Sequence, residues 1–110
     1  MEPFILSPQD QTADEGNITV LECVTGRGAP PPILYWEKDG TKHTGGMVTE
    51  VLFGEVGQDG HEQRSSNVQI VASLESAGLY RCAAENPLTK HVIFSENARL
   101  TVEGLYHEFS

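Results

Sequence analysis

A chain of 110 residues with 38% hydrophobic side chains can bury one core and is read as one domain. Its net charge of −9, from 16 acidic against 7 basic residues, argues against nucleic acid, heparin-like polymers and anionic membranes as partners, since those need basic patches. Two cysteines are too few for a disulfide-dense mini-protein or a structural zinc site, and no apolar run approaches the roughly 18 residues of a membrane span.

The opening MEPFILSP has neither a basic start nor an apolar stretch, so it is not read as a signal peptide, and the domain is expected to be cut from a longer protein. From there the chain shows alternation of period two and no sustained helical period. Thr19, Leu21 and Cys23 alternate with Ile18, Val20 and Glu22. Leu34 and Trp36 alternate with Tyr35 and Glu37. Met47 to Val56 is read as one or two short edge strands, with Gly57 to Gly60 (GQDG) as a hairpin turn into a strand starting near His61. Val68, Ile70 and Ala72 share a face, as do Tyr80, Cys82 and Ala84. Phe94, Ala98, Leu100 and Val102 would share a face if one near-regular strand holds them. Turn signals punctuate these runs at Glu15-Gly16, Gly26 to Pro32, Asp39-Gly40, Gly45-Gly46, Asp59-Gly60 and Asn86-Pro87. Short strands spaced this way predict an all-β sandwich or barrel.

Two cysteines on inward faces of distant strands, a tryptophan thirteen residues after the first, and a tyrosine two residues before the second make one constellation. With PFILSPQDQTADEGNITVLEC, CVTGRGAPPPILYWEKDG, LESAGLYRC, CAAENPLTK and ARLTV, the chain resembles the immunoglobulin superfamily, specifically its I-set type, over nearly everything from Pro3 to Val102. The resemblance implies an all-β, two-sheet antiparallel sandwich over residues 1–103, with 104–110 as a linker or tail. It implies an inter-sheet disulfide between Cys23 and Cys82. The core signature would be Leu21, Trp36 and Tyr80 with Gly78, where Gly78 leads into the strand and Tyr80 forms a tyrosine corner. Closing a loop of about 60 residues would contribute roughly 4 kcal/mol. Three departures stand out. Ser76 replaces a usual aspartate that pairs with an arginine, the connection before Tyr80 is a residue short near Val71 to Leu74, and Asn86-Pro87 replaces a frequent glycine.

No nucleophile, metal-protease or phosphate-loop motif is present, so no catalytic residue, cofactor or metal is expected. The histidines His43, His61, His91 and His107 are read as solvated loop residues, and Gly54 to Glu62 as a mobile acidic edge loop. Asn17-Ile18-Thr19 is a glycosylation sequon. In a chain with four asparagines it reads equally as an ordinary start of a strand. The resemblance leaves two functions: a recognition domain of an extracellular receptor or adhesion protein, or a structural module of an intracellular, titin-like muscle scaffold. The complete Cys–Trp–Cys set and the sequon favour the first. In that setting neighbouring immunoglobulin-like or fibronectin-type domains and protein partners, homophilic or heterophilic, are expected. The candidate binding face is the outward side of Ile33, Tyr35, Glu37, Arg81, Ala83, Ile93 and Arg99, with Leu79 and Glu85 alongside, an apolar cluster ringed by charge. Ile18, Val20 and Val71 should face outward from the opposite sheet, where a glycan on Asn17 would hinder contact.

Overall fold

The computed structural model describes residues 4–26, 32–43, 45–53 and 63–104. The tail 105–110, the GQDG turn, His61, His107 and most of the Gly26 to Pro32 turn lie outside them. Alternating burial along the strands that line the core, β2, β3, β6 and β9 most clearly, builds two sheets around it. In β2 (Ile18–Val24), for example, Thr19, Leu21 and Cys23 are buried and Ile18, Val20 and Glu22 exposed. One sheet has the order β1 (Gln11–Asp14), β9 (Ala98–Glu103), β7 (Gly78–Glu85), β3 (Ile33–Lys38), β4 (Thr41–Lys42), and β8 (Val92–Phe94) also pairs with β7. The other has the order β2, β6 (Gln63–Val71), β5 (Met47–Phe53). The edge region read as one or two strands is thus a single β5 over its described length.

The expected antiparallel sandwich holds except at one pair, since β1 runs parallel to β9. The chain changes sheets to achieve this. Ile5 and Leu6 first bond to Val24 on β2. The chain then passes buried Pro8, which has no N–H to extend that pairing, and joins β9 from Gln11 on.

The two sheets are joined through the core twice. Cys23 sits opposite Ser66 in one sheet, and Trp36 sits opposite Cys82 in the other. Across the gap the Cys23–Cys82 disulfide spans 6.4 Å between Cα atoms, and the Trp36 indole N–H donates to Ser66 Oγ at 2.9 Å. All four residues are buried, with Leu21, Val68, Ile70, Tyr80 and Leu100 around them. The bond from Trp36 is needed, because a buried indole N–H without an acceptor loses its hydration uncompensated.

The corner before β7 is fixed by two serines. Ser73 and Ser76 bond reciprocally across one 3-10 turn (Leu74–Ser76), each hydroxyl accepting from the other's backbone N–H. This is where Ser76 stands in place of the usual aspartate, and it explains how the short connection still closes. The turn aims the Ser76 carbonyl at Tyr80, whose hydroxyl donates to it at 2.6 Å. Gly78 belongs to the same corner rather than to the core, since a Cβ there would lie 2.8 Å from Asp39 Oδ2 and 2.9 Å from Asp39 Oδ1, which accepts from Leu79 N–H.

One expectation fails on the last strand. Phe94, Ala98, Leu100 and Val102 do not share a face, because β8 and β9 are separate strands with different registers on β7. Between the pairs Ala83–Phe94 and Tyr80–Ala98, two residues of β7 face three residues, 95–97. That is a β-bulge, and the extra residue reverses the alternation. Ser95 closes the gap, donating its N–H to Cys82 O and accepting from Cys82 N–H at its hydroxyl, both at 2.8 Å.

Ser66→Ala is expected to leave the Trp36 N–H buried without an acceptor and to lower unfolding stability by about 1–3 kcal/mol in urea titration. An unchanged midpoint and slope would show that the bond carries no stability.

Candidate recognition face

The outward side of β3 and β7 carries the candidate residues, and the bulge decides which of them reach it. Ile33 is 47% exposed at the start of β3. Tyr35 is half-buried, and Lys42 Nζ lies 5.3 Å from its ring centroid. Glu37 stands opposite Arg81, and both Nε and Nη2 of Arg81 approach Glu37 Oε1 at 2.8 Å. Arg99 is exposed on β9, held by its backbone N–H donating to Asp10.

Two residues of the expected face do not serve as contacts. Ile93 turns inward and packs against the core, because the bulge inverts the phase of β8. Ala83 does face outward, but it is fully buried, flanked in register by Tyr35 and Phe94, whose larger side chains stand on either side. Phe94 takes the outward place assigned to Ile93. It is 43% exposed, and the Arg81 guanidinium carbon lies 3.6 Å from its ring centroid. The polar triplet Ser95-Glu96-Asn97 between two apolar runs was the signal in the sequence that the strand breaks there.

The result is a row of alternating cations and aromatics: Lys42 on Tyr35, then Ala83 as a low point, then Phe94 under Arg81, which Glu37 holds in place. A cation over a half-exposed ring contributes about 0.5–1 kcal/mol, and a partly buried ion pair at the surface on the order of 1 kcal/mol. Their effect is positional. Glu37 holds Arg81 over the Phe94 ring before any partner arrives, which lowers the rotamer entropy that this arginine would lose on contact. Desolvation and the nearby Glu37 and Glu85 carboxylates raise the Tyr35 phenol above its usual range, while Arg81 pulls it down.

Elsewhere, the second sheet exposes Ile18, Val20 and Val71 as expected. Asn17 is exposed at the start of β2. His91 is an exposed loop residue, whereas His43 is not. It is half-buried and sets its ring edge-on to Tyr80 at 5.4 Å. Among the described residues no group of three or more His, Cys, Asp or Glu is placed to hold a metal ion.

This sandwich, with its bridged cysteines and tyrosine corner, matches the family model for an immunoglobulin domain over residues 2–86, and the chain belongs to that family. It is similar to human "Brother of CDO", 37% identical over 76% of this chain and 7% of that protein. It is also similar to the Caenorhabditis elegans "Zwei Ig domain protein zig-2", 32% identical over 79% of this chain and 38% of that protein. The chicken "Neuronal cell adhesion molecule" is 31% identical over 83% of this chain and 7% of its own length. The chain thus spans well under half of each of these relatives. Among solved structures it superposes on Rst D1-D2 with a TM-score of 0.72 at 18% identity, covering 92% of this chain and 50% of that one. On I81 from titin the TM-score is 0.56 at 21% identity, covering 92% and 95%. At these identities the superpositions speak for the fold.

Because a raised phenol keeps its proton longer when folded, Tyr35 contributes stability that is complete below pH 10 and is lost as pH rises through its folded value. Removing Arg81 removes the influence that lowers it. In Arg81→Ala, NMR of ring-labelled tyrosine is therefore expected to show Tyr35 ionising at still higher pH. A shift to lower pH would contradict the placement of Arg81 over this face.

Proposed function

We propose that this domain is a non-catalytic, I-set-type recognition module of an extracellular or cell-surface protein, binding a protein partner through the outward side of β3, β7 and β8. The observation that carries the setting is the buried Cys23–Cys82 bridge, which persists in oxidising compartments and is rare in reduced cytosol. Similarity to a neuronal cell adhesion molecule supports it. Likeness to a titin domain is one of fold, and a bridged core does not favour an intracellular muscle scaffold.

The face fits recognition chemically. Tyrosine, phenylalanine and arginine are enriched at interface centres, and here Tyr35, Phe94 and Arg81 stand together with Ile33 exposed beside them. Asn17, exposed and inside a sequon, is assigned as a glycan site on the other sheet. The parent protein is taken to carry further immunoglobulin-like or fibronectin-type domains.

The test has two parts on the protein from its native source. Peptide mapping without reduction is expected to find Cys23 linked to Cys82 and a glycan on Asn17. Tyr35→Ala and Phe94→Ala are each expected to weaken self-association or partner binding at least tenfold, without loss of thermal stability. Free thiols would remove the extracellular reading, and unchanged binding in both variants would remove this face.

A further inference from the structure

At the open edge between the sheets, the chain crosses from β4 to β5 past His43, Gly45 and Gly46. The crossing is tight. Gly46 has φ +78°, and a Cβ on it would lie 2.6 Å from the Gln69 carbonyl oxygen, so only glycine fits. Gly45 covers the His43 ring, since a Cβ there would lie 3.2 Å from Cε1 and 3.5 Å from Nε2. The ring stands edge-on to Tyr80, and the His43 backbone N–H donates to Trp36 O at 2.8 Å. Nε2 is buried and has no hydrogen-bond partner among the described residues.

We propose that His43 is an acid-sensitive latch: charging its ring releases Gly45 and Gly46 from their close packing on His43 and Gln69, and leaves the bridged core closed. The charged ring would hold a buried N–H without an acceptor, which the fold cannot keep in place. The groups around it give no relief. From β3 comes the Lys38 ammonium, of like charge, donating to the Glu75 backbone oxygen. Asp39 follows Lys38 at 3.9 Å and is already bound to Leu79 N–H. From β7 comes the neutral Tyr80 phenol, bound to Ser76 O. The Glu75 carboxylate is in the one-turn helix, and β6, β5 and β2 bring only uncharged residues, Gln69, Ile70 and Val71, Met47 and Ile18. These residues line a cavity of about 560 Å³ beneath the crossing, into which the released segment opens.

The sign follows from burial and Lys38, both of which hold the imidazole below its ordinary value of 6.5. A depressed group of this kind contributes stability that is complete above 6.5 and is lost as pH falls through its folded value. The latch therefore stays shut at neutral pH and opens on acidification, as on passage from the cell exterior into an acidic compartment.

Amide hydrogen exchange at pH 7.5 and pH 5.5, corrected for the intrinsic rate, tests this on the intact domain. The His43 amide, bonded to Trp36 O, and the Met47 amide, paired with Gln69 at the start of β5, are expected to exchange at least tenfold faster at pH 5.5, while β2 and β3 amides keep their protection. In His43→Phe, which retains a ring against Tyr80, the acceleration should disappear. Lys38→Met gives a second reading that does not depend on the first variant folding: it should move the midpoint of opening to higher pH. No acceleration in the wild type, the same acceleration in His43→Phe, or an unmoved midpoint in Lys38→Met would each overturn the proposal.

Discussion

Everything in this domain hangs from four buried residues that tie one strand pair of each sheet together. Cys23 and Ser66 face each other in one sheet, Trp36 and Cys82 in the other, and two bonds cross the gap between them. The disulfide shortens the unfolded chain's freedom over a loop of about 60 residues, on the order of 4 kcal/mol in the chain-entropy account. The indole bond adds direction. It fixes the orientation of the largest buried side chain, and hence the spacing at which the two sheets close.

The corner and the bulge follow from that frame. Once Cys82 is held, Tyr80 must enter the core two residues earlier, and the Ser73–Ser76 turn provides the carbonyl its hydroxyl needs. On the other side of Cys82, its own N–H is answered by the Ser95 hydroxyl rather than by a backbone carbonyl. The bulge that this accommodates turns Phe94 outward and Ile93 inward, and so decides which side chains a partner would meet. A core constraint thus shapes the surface through one serine.

Much of this was legible in the residues themselves. Cys23, Trp36, Tyr80 and Cys82 stand out because alternation of period two exposes a strand's inward face, and because cysteine and tryptophan are scarce. Ser66 gave no such signal, and Ser95 showed only as part of the polar triplet Ser95-Glu96-Asn97 that breaks the apolar pattern. A serine in a strand looks like a surface residue until its partner is known. The inversion at Phe94 was hidden for a related reason: a single extra residue changes every face beyond it, while leaving the hydrophobic pattern on either side intact. His43 was misread as a solvated loop residue because it follows a two-residue strand, and its burial comes from Gly45 and Tyr80, which only the folded chain brings to it.

The most direct test of the central claim is hydrogen exchange at the Trp36 indole N–H itself. If the indole bond and the bridge form one closed frame, that hydrogen leaves only when the whole domain unfolds, and its protection free energy equals the global stability measured by denaturant. Exchange at a far lower free energy, through local opening while the rest of the core stays protected, would contradict the account.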